Sequence, residues 1–142
     1  MMRWVIFALF TVVALATADF CVKLAAGKLS NSIALLLYGS CSFFIGLIWV
    51  LWERTQSGTL FLQPAGLAAG IGVGLAFTGV TIGLYLTFGA GAPVSVASPV
   101  IRLGGLLLVS VAGLAILHEP FSWRYLLGVM LAVSGLVLIL TR

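Results

Sequence analysis

The sequence predicts an all-α protein, a polytopic integral membrane bundle of five transmembrane helices. Of its 142 residues, 63% are hydrophobic and 7% are charged, whereas about a quarter of the residues of an ordinary soluble domain are charged. Between Arg54 and Arg102 the only ionisable side chain is that of Tyr85. Because a helix needs about 20 apolar residues to cross the hydrocarbon core, that stretch holds most of two spans. Lipid is therefore the solvent that this composition requires.

Polar and helix-breaking residues divide the chain into five apolar runs. The predicted spans are residues 4–26, 31–52, 65–88, 93–117 and 121–141. Gly27 is expected to end the first helix, and Ser30 or Asn31 to cap the second. Pro64 suits the first turn of the third helix, and Pro93 is expected to open the fourth. Tryptophans near the span ends support these boundaries, because amphipathic rings favour the headgroup layer.

The segment ALATADF (14–20) also has the form of a signal-peptide cleavage site, with Ala16 and Ala18 placed before Asp19. The apolar character continues beyond that point to Gly27, however, and four further spans follow. We therefore expect this segment to belong to a transmembrane helix that carries a carboxylate into the bilayer.

Asp19 and Lys23 stand four residues apart on one face of the first predicted helix. Asp19 is roughly 10 Å inside the helix end at 1.5 Å per residue, whereas the long side chain of Lys23 can reach the interface. A charge at this depth costs about 2.5–3.5 kcal/mol and normally faces a bundle interior or a polar cavity. Three interpretations stay open. Asp19 is a structural partner of Lys23 or Arg102, a titrating or cation-binding carboxylate in a transport cavity, or a headgroup residue of a displaced span.

Arg102 lies about nine residues into the fourth predicted helix, at a depth similar to that of Asp19 if the five spans alternate. We expect it to face the cavity, where it neutralises Asp19 or receives an anionic group. Ser95 and Ser98 share its helical face, and Pro99 favours a kink. The predicted substrate- or ion-binding residues are Asp19, Lys23, Ser98 and Arg102.

Small residues recur at helical spacing in two of the predicted helices. The stripes consist of Gly66, Gly70 and Gly74, with Gly79 and Gly83 beyond them, and of Gly128, Ala132 and Gly135. Helices in lipid associate through such small faces, because no hydrophobic force drives them together. The stripes therefore indicate either packing within the chain or, at least in the fifth helix, contact between subunits.

Other classes of function lack the residues that they need. The formal charge of +4 is scattered, without the dense basic cluster of a nucleic-acid-binding patch. Cys21 and Cys41 stand inside apolar runs, away from any metal-ligand spacing, and are expected to be small buried residues. His118 is expected to lie in a loop, Glu119 to be an acidic residue of that loop or of the first turn of the fifth helix, and no Ser/His/Asp set is visible. The sequence thus predicts no enzyme, no cofactor and no metal site.

Three segments resemble the drug/metabolite transporter superfamily, EamA type. ILHEPFSWRYLLGVMLAVSGLVLIL (116–140) resembles its closing segment, with a glutamate and proline, a Trp-Arg and a Gly-x6-Gly. VSVASPV (94–100) resembles its small-residue, proline-containing fourth helix. ATADFCVKLAAGKLS (16–30) resembles its first helix, with Ala18-Asp19 in place of the usual Trp-Gly. The resemblance covers nearly the whole chain and implies a single EamA-like domain over residues 1–142. The usual ten-helix transporter contains two such units in opposite orientation.

The resemblance also implies a function. The related small multidrug transporters keep an acidic residue in helix one and pair through a Gly-x6-Gly helix; Asp19, Gly128 and Gly135 are the corresponding positions. We therefore expect a secondary transporter subunit in the inner cell membrane that moves a small metabolite or amphipathic compound by alternating access. The alternative is an accessory or scaffolding subunit, such as half of a heteromeric lipid-linked-sugar flippase.

The positive charges give little guidance on orientation. With alternating spans, three lie on each side: Arg3, Arg54 and Arg124 against Lys23, Lys28 and Arg142. Because the two sides carry equal numbers, the positive-inside rule favours neither orientation clearly. Two copies in opposite orientations would form the inverted repeat of an alternating-access transporter. We therefore expect an antiparallel homodimer with Gly128, Ala132 and Gly135 in the contact. The alternative is a subunit of fixed orientation with a separate partner.

Overall fold

The computed structural model describes residues 3–57, 62–118, 120 and 122–141. Within these ranges it contains five α-helices and no strand. The helices are α1 (Arg3–Ala25), α2 (Asn31–Ser57), α3 (Pro64–Gly89), α4 (Val94–Ala115) and α5 (Trp123–Leu140). Each is long and apolar enough to cross a membrane. The predicted all-α fold with five transmembrane helices is confirmed.

Four of the five predicted spans agree with the observed helices to within two residues at each end. The exception is α2, which continues to Ser57 although the predicted span ends at residue 52. Glu53, Arg54 and Gln56 are good helix formers, so the helix persists after the apolar run has ended. The end of the apolar run is therefore not the end of the helix.

The turn between α1 and α2 has the predicted geometry. Gly27 has a φ of 78°, in the left-handed region that glycine adopts without steric cost. The Lys28 N–H donates to the Ala25 carbonyl at 3.0 Å, and the Ala34 N–H donates to the Ser30 carbonyl at 3.0 Å. Ser30 therefore occupies the N-cap position of α2.

The remaining turns contain prolines and residues with positive φ. Pro64 lies in the first turn of α3, and Pro93 immediately precedes α4. Gly91, between these two helices, has a φ of 94°, and His118, after α4, has a φ of 53°. The loop predicted for Glu119 lies outside the described residues.

Helix contacts divide the chain into two compact units, residues 1–90 and 91–142. In the N-terminal unit α3 packs against both α1 and α2, and in the C-terminal unit α4 packs against α5. Ser110 on α4 donates to the Leu106 carbonyl at 2.6 Å and is also hydrogen-bonded to the hydroxyl of Tyr125 on α5. Because the single Ser110 hydroxyl hydrogen is already used, Tyr125 is the donor in the bond that joins α4 to α5.

Most apolar side chains of both units are exposed. Among the described residues the buried hydrophobic side chains are few: Ala34, Leu84, Phe88 and Ala97. So much exposed apolar surface would promote aggregation in water, whereas it matches the hydrocarbon of a bilayer. The chain is therefore a multi-pass membrane protein, and few of its described side chains are buried.

The prediction that Cys21 and Cys41 are buried is wrong, because both are exposed. In a soluble protein a cysteine within an apolar run is usually interior. Here the apolar runs face lipid, so an apolar neighbourhood in the sequence does not imply burial.

Candidate functional site

Asp19 is buried in the C-terminal part of α1, with only 4% of its surface exposed. It lies on the least exposed face of the helix, together with Leu15 and Val22. Six residues separate it from the helix end at Ala25, which corresponds to about 9 Å of helix. Helix α1 ends within one residue of the predicted span, and the three interpretations of Asp19 stay predictions.

Lys23 joins α1 to α3 through a cation–π contact. Its Nζ lies 5.9 Å from the centroid of the Phe88 ring, within the range of such interactions, and Phe88 is only 2% exposed. Helices α1 and α3 run in the same direction across the membrane, because one full span separates them. This contact therefore aligns the two helices, so that Asp19, one turn before Lys23, lies near the level of Leu84, one turn before Phe88.

A face of α3 with two threonines lies in the same part of the N-terminal unit. Thr81 is buried one turn before Leu84, and the half-buried Thr78 precedes it at helical spacing. Their hydroxyls donate to the carbonyls of Phe77 and Gly74, each at 2.9 Å. Because the hydroxyl hydrogens are used within the helix, the oxygens present acceptor lone pairs to their surroundings.

Sequence reasoning missed the two threonines. Helix α3 is apolar on all sides, so no hydrophobic period indicated which face is sheltered. The available signal was the spacing of Thr78, Thr81 and Tyr85, which places three of the four polar side chains in the C-terminal half of α3 on one face.

Ser98 and Arg102 lie one turn apart on α4, and both are half-buried. The Ser98 Oγ is enclosed and has no hydrogen-bond partner among the described residues. Pro99 follows within the helix, and because it has no N–H, the Ser95 carbonyl loses its regular helical donor. Within about one turn of the Arg102 guanidinium, α4 thus contains the enclosed Ser98 hydroxyl and the Ser95 carbonyl without its helical donor. Unsatisfied polar groups of this kind are costly in lipid.

The structure brings the predicted site residues together in two pairs. Asp19 and Lys23 share a face of α1 in the N-terminal unit, and Ser98 and Arg102 share a face of α4 in the C-terminal unit. The predicted pairing of Asp19 with Arg102 stays a prediction. Among the described residues, no group of three or more His, Cys, Asp or Glu side chains could hold a metal ion.

The glycine stripes have open space around them. A methyl group built on Gly128 or Gly135 would meet nothing within 4 Å, and the same holds for the glycine stripe of α3, Gly66, Gly70, Gly74, Gly79 and Gly83. Gly128 is exposed, whereas Ala132 and Gly135 are half-buried. Within its own unit, each of these glycines therefore makes no close helix contact in the described part of the chain.

Comparison of the chain with protein-family models, with curated proteins and with solved structures gives no match. The two polar pairs and the motifs of the sequence are the features that indicate a function.

Proposed function

We propose that the chain is a subunit of a secondary transporter of the drug/metabolite transporter type, EamA. It moves a small metabolite or amphipathic compound across the inner cell membrane by alternating access. The observation that carries the proposal is the Asp19 carboxylate, which is buried in a helix whose side chains are otherwise mostly exposed. A charge at bilayer depth is expensive and usually marks a substrate or ion pathway.

The two polar pairs have complementary chemistry. The carboxylate of Asp19 attracts a cation or a protonated amine. Such a group must compete with the neighbouring Lys23 ammonium for this carboxylate. The guanidinium of Arg102 can bind an anionic group through two parallel hydrogen bonds, and the enclosed Ser98 hydroxyl supplies a further partner. Each pair suits a polar or amphipathic substrate better than a purely apolar one.

Transport assays in reconstituted vesicles test the role of Asp19. Proton-gradient-dependent uptake is measured over a panel of metabolites, first with the unchanged protein and then with Asp19→Asn. We expect flux to fall to background while insertion and oligomeric state are retained, because the substitution removes the charge and keeps the shape. Thr17→Val is the matched control, since Thr17 is exposed on the same helix and its hydroxyl is bonded to the Val13 carbonyl at 2.9 Å.

Unchanged flux with Asp19→Asn would remove Asp19 from the mechanism. If the chain is instead an accessory or scaffolding subunit, both Asp19→Asn and Arg102→Gln should leave the function of the assembly unchanged, because neither residue contacts a substrate.

A second prediction compares two arginines. Arg102→Ala is expected to impair uptake far more than Arg124→Ala, because Arg102 lies eight residues inside α4 whereas Arg124 is exposed at the start of α5. The initial uptake rate at matched protein density is the measurement. Equal and mild effects would mean that Arg102 extends to the interface and contacts no substrate.

The proposal includes a dimer, homomeric and antiparallel, with Gly128, Ala132 and Gly135 in the contact. It is supported by the open space around both glycines and by the two opposed repeats that alternating access uses. Cysteine labelling at Ser57 and Thr141, in a background without Cys21 and Cys41, tests it. Each site should be accessible from both sides of the membrane. Access from one side only would favour a fixed orientation and a separate partner.

A further inference from the structure

Two polar groups of α4, the Ser98 hydroxyl and the Ser95 carbonyl, lie beside Pro99. The hydroxyl is enclosed and makes no hydrogen bond to any described residue. The carbonyl would accept its helical bond from the N–H of residue 99, and proline has none. The hydroxyl has a hydrogen to donate and the carbonyl accepts one, and unsatisfied groups of both kinds are costly in lipid.

The two groups stand at a spacing that allows a bond between them. Ser98 is three residues after Ser95, and serine and threonine hydroxyls commonly bond to carbonyls three or four residues earlier in a helix. Thr55 makes such a bond in α2, where its hydroxyl donates to the Trp52 carbonyl at 2.6 Å. A serine hydroxyl moves between three staggered positions by rotation about one bond. One change of rotamer can therefore supply the donor that Pro99 lacks.

We propose that Ser98 is a two-position switch in α4. In the position that the structure shows, the hydroxyl makes no bond within the helix, so its hydrogen is available to a ligand beside Arg102. In the second position the hydroxyl donates to the Ser95 carbonyl, and its hydrogen is used within the helix. A ligand that accepts a hydrogen bond from Ser98 therefore selects the first position.

The switch itself goes beyond the proposed function, because it requires only that α4 lies in a membrane. The nature of the ligand rests on the proposed function, which assigns an anionic group to Ser98 and Arg102. The experiment that follows therefore measures the hydrogen bond and not uptake.

Two carbonyl resonances report on the switch. Serine precedes valine at two places in the sequence, Ser95–Val96 and Ser110–Val111. Protein with carbonyl-13C serine and 15N valine therefore gives two signals in a carbonyl–amide correlation spectrum, recorded in detergent micelles. The shift of the Ser95 carbonyl depends on whether it accepts a hydrogen bond. The Ser110 carbonyl, in the same helix, has an ordinary amide donor and serves as a bonded reference.

Two variants define the limits of the Ser95 signal. Ser98→Ala removes the hydroxyl and keeps the helix, because alanine is the best helix former; the carbonyl is then unbonded. Pro99→Ala restores a backbone N–H, so the carbonyl is permanently bonded. We expect the unchanged protein to give a signal between these limits, with the two positions populated within about tenfold of each other, since one net hydrogen bond is worth about that factor.

Ser134→Ala is the matched control. It removes a serine hydroxyl from α5, in the same unit, that donates to the Met130 carbonyl at 2.9 Å. The Ser95 signal should keep its position in this variant.

Three results would overturn the proposal. A Ser95 signal that coincides with that of Ser98→Ala would mean that the hydroxyl never donates to this carbonyl. A signal that coincides with that of Pro99→Ala would mean that the carbonyl is always bonded and that there is no second position. An equal displacement by Ser134→Ala would mean that the signal follows a general change in the unit. Each of these results would leave the proposed function to its own uptake assays.

Discussion

The N-terminal unit has a packed end and an open end. The packed end contains the end of α1, the start of α2 and the end of α3. All of the buried residues described in this unit lie there: Asp19, Ala34, Thr81, Leu84 and Phe88. The open end contains the last turns of α2 and the first turns of α3, and every described side chain of residues 45–56 and 64–77 is exposed.

The difference shows what determines the interior of a unit that lipid solvates. The apolar residues of the open end need no burial, because lipid tails are as apolar as a protein core. A carboxylate does need shelter from hydrocarbon, and Asp19 lies at the end of the unit where the buried residues occur. The distribution of buried residues therefore follows the polar group better than it follows the frequency of apolar residues.

The largest effect is expected from truncating a ring at the packed end. Phe88→Ala should lower the free energy of unfolding by about 2 kcal/mol, because a buried ring leaves a cavity and lost packing contacts even where lipid removes the hydrophobic transfer term. Phe77→Ala, on the same helix at the open end, should change it by less than about 0.5 kcal/mol. Reversible unfolding in detergent, followed by circular dichroism, measures both. Similar losses for both variants would mean that the two ends do not differ in packing.

An intermediate effect is expected at the turn that closes the packed end. Gly27→Ala should destabilise the protein by about 1–2 kcal/mol, because an alanine with the φ of 78° at this position is strained. Gly39→Ala, within α2, should stabilise it by up to about 1 kcal/mol through helix propensity, since the added methyl meets nothing within 4 Å. The same unfolding measurement should give opposite signs. A destabilising Gly39→Ala would show that a subunit or ligand occupies the space beside that glycine.

The sequence was sufficient to predict the five helices and the position of Asp19 well inside the first of them. Both follow from large energies: an unpaired backbone group in lipid costs several kcal/mol, and so does an exposed charge. The extension of α2 to Ser57 could not be predicted from the apolar run. Hydropathy indicates which residues favour lipid over water, whereas the helix itself is defined by its backbone hydrogen bonds.

The packed face of α3 was beyond prediction for a related reason. In water a buried face is more apolar than its surroundings, but in lipid both faces are apolar, so Leu84 and Phe88 look no different from Leu75 and Phe77. The regular spacing of Gly66, Gly70 and Gly74 suggested a contact face, yet no described residue of their own unit covers these glycines. Spacing alone shows which residues share a face, and not which face meets a neighbour.

The smallest predicted effect concerns the contact that joins α1 to α3 at the packed end. Lys23→Met keeps a long side chain and removes the charge over the Phe88 ring, so it should lower the free energy of unfolding by about 0.5–1 kcal/mol. Lys28→Met, in the exposed turn beyond α1, is the matched control and should change stability by less than about 0.5 kcal/mol.

A double-mutant cycle separates this contact from other effects of the lysine. Phe88→Leu keeps an apolar side chain without a ring, so Lys23→Met should cost less in that background than in the unchanged protein. The difference measures the interaction between Lys23 and Phe88. A coupling near zero would mean that the cation–π contact between Lys23 and Phe88 does not help to hold α1 against α3.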